Sequence, residues 1–69
     1  MKKAAVLRRL KTAARQAGLE YREVELTNHT GVIVGGTRST IGRHSEMPDQ
    51  AAKKFWDQFA SELGKGWWR

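Results

Sequence analysis

Apolar positions along this chain change their spacing three times. From Lys2 to Ala17 they recur at three- and four-residue steps, Val6, Leu10, Ala13 and Ala17 with Leu7 and Ala14 beside them, and predict an amphipathic helix. Gly18 stands where a left-handed cap would end that helix, and Leu19 can fold back as its hydrophobic contact. Glu20 to Leu26 alternates instead, with Tyr21, Glu23 and Glu25 on one side and Arg22, Val24 and Leu26 on the other. Period two predicts a strand with one wet face. Thr27 to Thr30 reads as a turn, and Gly31 to Val34 as a buried strand. Gly35-Gly36 is a two-residue hairpin signal leading into a third β-prone run, Thr37 to Gly42. Arg43 to Met47 is a link. Pro48 suits the first turn of a closing helix, with Glu46 and Asp49 at its positive end. Ala52, Phe55, Trp56, Phe59 and Leu63 form the strongest stripe in the chain, and Gly64 closes that helix.

The order helix, strand, strand, strand, helix gives each helix one apolar stripe and the sheet one apolar face. The economical packing puts both helices on the same face of an antiparallel three-stranded sheet. The expected fold is an α+β two-layer sandwich of the double-stranded-RNA-binding-domain type, as one domain over residues 1–69.

Composition narrows the function. A chain of 69 residues buries only roughly 60% of its unfolded surface, so its margin of stability is thin. With no cysteine, disulfides and thiolate metal sites are excluded. Two histidines and scattered carboxylates form no ligand cluster, so neither a metal nor another cofactor is expected. The net charge of +6 favours an anionic partner: nucleic acid, an anionic membrane or an acidic protein. No apolar run approaches the roughly 20 residues of a membrane span, and Leu7-Arg8-Arg9-Leu10 interrupts any signal-peptide core. A soluble, cytoplasmic protein that makes no use of a membrane is the expectation. The polar face of the first helix carries Lys2, Arg8, Lys11 and Arg15, with Lys3 and Arg9 near its edges and no acid before Glu20. It serves either to hold phosphates or to keep the chain in solution.

His29 precedes the one continuous apolar run, where a fixed backbone meets solvent. Imidazole gives and takes protons near neutrality. RNA cleavage needs a base for the 2′-OH, an acid for the departing 5′ oxygen, and cations for the charge that builds on phosphorus. His29 with His44, and with Arg38 and Arg43 steadying phosphate, would supply these groups. The other reading makes His29 a turn residue and His44 a solvent-exposed link residue. No serine-elbow or phosphate-loop motif competes. Glu23 and Glu25 read as a solvated strand face. Phe55, Trp56 and Phe59 read as core. Of Trp67 and Trp68, one is free to stack on a base, unless both seal the core.

Thr27-Asn28-His29 followed by Val32-Ile33-Val34, with Ile41-Gly42-Arg43-His44 at the end of the third strand, resembles the HicA family of small mRNA-interferase toxins. That family has Gly-Ser-His where this chain has Thr-Asn-His, and an Arg-His or Pro-x-His stretch before its last helix. The resemblance implies that His29 is the catalytic histidine, that the activity is ribosome-independent mRNA cleavage, and that a HicB-like antitoxin restrains it. A divergent, phage-encoded member would fit. The cations placed on RNA are Lys3, Arg8, Lys11, Arg15, Arg38 and Arg43, in a monomer or weak homodimer. The alternative is a non-catalytic protein of the same fold that binds RNA, DNA or an acidic protein.

Overall fold

The computed structural model describes residues 1–69. Its elements are α1 (Lys3–Gln16), β1 (Tyr21–Glu25), β2 (His29–Val34), β3 (Thr37–Gly42), α2 (Asp49–Asp57) and a short α3 (Ala60–Leu63). The strands form one antiparallel sheet in the order β1-β2-β3, and the helices cover one face of it, as the α+β sandwich requires.

Local sequence sets most of the boundaries. Gly18, at φ +72°, takes the left-handed position after α1. Its N–H donates to the Arg15 carbonyl at 3.0 Å, and the Leu19 N–H donates to the Ala14 carbonyl at 2.8 Å. These paired bonds are a Schellman motif, and Leu19 packs on the core as its apolar partner. At the β2–β3 tip only the first glycine, Gly35 (φ +57°), has a positive φ, the pattern of a II′ turn.

Two boundaries differ from the sequence expectation. β2 begins at His29, two residues before the apolar run, because Thr30 pairs with both Glu25 and Ile41. Thr30 is 2% exposed, so a buried polar residue extends the strand where hydrophobicity gives no signal. The turn shrinks to Thr27-Asn28, clamped by the Leu26 N–H on the His29 carbonyl at 2.8 Å. The closing helix is also broken. The N–H groups of Gln58 and Phe59 donate three residues back, to the Phe55 and Trp56 carbonyls, before α3 resumes. Past the break, side chains reach the sheet. Gln58 bonds Ser39, and the Glu62 carboxylate accepts from the Gly36 N–H and the Thr37 hydroxyl, each at 3.1 Å. These off-axis partners hold the tightened turn, which contains neither glycine nor proline.

The core lies between the layers. Val6, Leu7, Leu10 and Ala14 of α1 and Ala52, Phe55, Trp56 and Phe59 meet Val32, Val34 and Ile41 of the sheet. Phe55 and Phe59 pack edge to face at 5.4 Å. The Trp56 indole N–H donates to the Val6 carbonyl at 3.1 Å and ties the two helices. Trp67 and Trp68 both tuck against Trp56, with ring centroids 5.9 and 6.0 Å away. Their indole N–H groups donate to the Trp56 carbonyl and to Asp57. Both indoles pack on the core and both remain partly exposed.

Candidate functional site

β2 alternates between buried and open positions. Thr30, Val32 and Val34 point to the helices, so His29, Gly31 and Ile33 point the other way, onto the uncovered face. His29 is exposed and is the first residue of the strand. The ladder fixes its backbone on both sides: Leu26 bonds its carbonyl, and Gly42 pairs with it from β3. His44 lies two residues beyond Gly42 and is also exposed, so both histidines stand at the same end of the sheet.

A polar chain lies on the helix side of that end. Lys3 Nζ donates to the Thr30 hydroxyl at 3.0 Å, and that hydroxyl donates to Glu25 Oε1 at 2.9 Å. Glu25 Oε2 faces Arg43 Nη2 at 3.2 Å, and the same Nη2 donates to the Leu26 carbonyl. Arg43 is therefore anchored beside the residue that clamps His29. A guanidinium carries five N–H donors, so bonds through Nη2 leave the rest of the fork unspent. Its side chain remains 49% exposed.

The cations expected on RNA do not share one surface. Lys3 is bonded to Thr30 and Arg43 to Glu25, so both belong to this chain of contacts. Arg8 and Lys11 line a shallow depression on the helix side that also includes Glu23. Arg15 is exposed near the end of α1. Arg38 lies on the open face, paired with Ile33. Arg22, which the sequence reading did not single out, lies on that same face on the other side of Ile33. Its signal was in the alternation of β1, which groups it with Val24 and Leu26.

Tyr21 has the one strongly perturbed ionisation. Burial, then its 2.7 Å hydrogen bond to Glu23 and that carboxylate's charge, push the phenol well above its ordinary value. It stays a neutral donor under α1. No group of three metal-ligating side chains occurs, and no helix is long and apolar enough to cross a membrane. The chain matches no protein-family model, no curated protein and no solved structure.

Proposed function

We propose that this chain is a HicA-like endoribonuclease of the cytoplasm that cleaves mRNA by general acid–base chemistry, with a HicB-like antitoxin as its restraining partner. The observation that carries the reading is the exposed imidazole of His29 on the first residue of a strand held by both neighbours, with an anchored guanidinium at the same end of the sheet. A fixed backbone limits the positions the ring can sample, which is what proton transfer at a set point on a substrate requires. In the proposed step one histidine takes the 2′-OH proton. The freed oxygen attacks the adjacent phosphorus, the bond to the 5′ oxygen breaks, and the other histidine protonates that oxygen. The products are a 2′,3′-cyclic phosphate and a 5′-hydroxyl, and the nucleophile comes from the RNA itself. Arg43, anchored at the same end of the sheet, is the cation this reading assigns to the charge that builds on the phosphoryl oxygens.

The test is cleavage of single-stranded RNA in EDTA. Wild type should yield cyclic-phosphate ends, and His29→Ala should lose about 10²–10⁴-fold in rate with its thermal midpoint unchanged. Equal rates, or no cleavage by either protein together with equal growth on expression, would remove the catalytic assignment. The second reading, a non-catalytic binding protein, is favoured by one contact: the ion pair with Glu25 offsets part of the charge on Arg43.

A further inference from the structure

The strands sort charge by face. Toward the helices β1 sends Tyr21, Glu23 and Glu25; toward solvent it sends Arg22 and Val24. The register then sets the open face in three rows: Arg22–Ile33–Arg38, Val24–Gly31–Thr40, and Leu26–His29–Gly42. This face carries two arginines and a histidine and no carboxylate. The four ion pairs of the chain involve neither arginine. The middle row is floored by glycine. A Cβ at Gly31 would lie 3.3 Å from the Val24 carbonyl oxygen and 3.6 Å from Leu26 Cδ1, so the depression depends on its absence. Val24 and Leu26 flank it, 38% and 46% exposed.

We infer that this face is a track for single-stranded RNA. The strand runs along β2, with the reacting phosphate at His29 and a neighbouring phosphate held between Arg22 and Arg38. The role of His29 rests on the nuclease reading; the track itself does not. Spacing supports it. The outer strands stand two strand-widths apart, about 10 Å, which admits one phosphate chain between two guanidinium groups. Ile33 and His29 are four residues apart, about 13 Å along the strand, a length of a few nucleotides. Guanidinium forks match phosphate oxygens in pairs. The aliphatic floor gives unstacked bases an apolar contact that the edges of a paired duplex do not offer. A competing basic surface lies on α1, where Glu23 offsets Arg8 and Lys11 on one side while Arg8 and Arg9 stand beside Trp67 on the other.

The test is the salt dependence of binding to a short single-stranded 2′-O-methyl RNA, which has no nucleophile and stays intact. Each phosphate contact contributes about 0.7 to the slope of log K against log salt. Arg22→Gln with Arg38→Gln removes the one phosphate contact they share and should lower that slope by about 0.7, and Arg8→Gln, Lys11→Gln and Arg15→Gln together should leave it unchanged. An unchanged slope in the double variant overturns the track, whichever way the α1 variant behaves. Binding that ignores salt and is lost in Leu26→Ser also overturns it, and gives the face to an apolar protein partner. Cleavage of ordinary RNA, measured alongside, separates the two claims. A reduced slope without any cleavage by wild type keeps the track and removes the nuclease. Cleavage with an unchanged slope does the reverse.

Discussion

On its helix side the sheet buries Thr30, Val32, Val34 and Ile41 and leaves no buried side-chain polar atom without a partner. On its open side Val24 and Leu26 remain in water in the rows beside Arg22 and Arg38, which form no ion pair in the chain. The contrast does not follow from hydrophobicity alone. In β1 the apolar residues face solvent, while Glu23 and Glu25 lie under a basic helix. Charge favours this orientation: reversing β1 would set Arg22 under the cationic α1 in place of Glu23, and would take Glu25 from Thr30 and Arg43. One face is thus committed to cohesion, and the other keeps its charged groups free.

Substitutions on the two sides should separate accordingly. Phe59→Ala empties a site with no solvent exposure and should cost about 3–5 kcal/mol in denaturant unfolding. So large a loss in so small a chain would leave it partly unfolded at room temperature. Thr30→Val keeps the shape but removes the hydroxyl between Lys3 and Glu25, and should cost about 1–3 kcal/mol. A neutral result would mean that water replaces the hydroxyl and that the polar chain does not hold the sheet end.

Tyr21→Phe should change the shape of the pH profile in alkali. The folded phenol titrates above its unfolded value, so its contribution is complete below about pH 10 and falls as pH rises toward the folded value. Wild type should therefore lose more stability than Tyr21→Phe across that window in thermal melts. Identical profiles would place the phenol in water. The smallest effect belongs to the open face. Leu26→Ser should change stability by no more than about 0.5 kcal/mol. A loss comparable to Phe59→Ala would mean that the face is covered and would erase the contrast.

Much of this architecture was legible in the residue pattern. The α1 stripe, the Gly18 cap and the Gly35-Gly36 tip are local signals, and each element formed where its signal lay. The start of β2 was hidden because Thr30 is polar yet buried. The break at Gln58–Phe59 was hidden because its cause is tertiary: Gln58 and Glu62 take partners on β3 and the hairpin. For the candidate site, the alternation of β1 already grouped Arg22 with Val24 and Leu26. Which group meets water depends on where α1 docks. The anchoring of Arg43 by Glu25 and a carbonyl 17 residues away likewise needed the folded chain.

The clustering of all three tryptophans around Trp56, remote from the open sheet face, gives the molecule a directional spectroscopic signal. A ligand on the open face meets no indole, so it should leave the emission spectrum as it was. Undocking of the chain end should expose Trp67 and Trp68 and move the emission to the red. The intrinsic fluorophores therefore report on the integrity of the helical layer and are blind to occupancy of the opposite one.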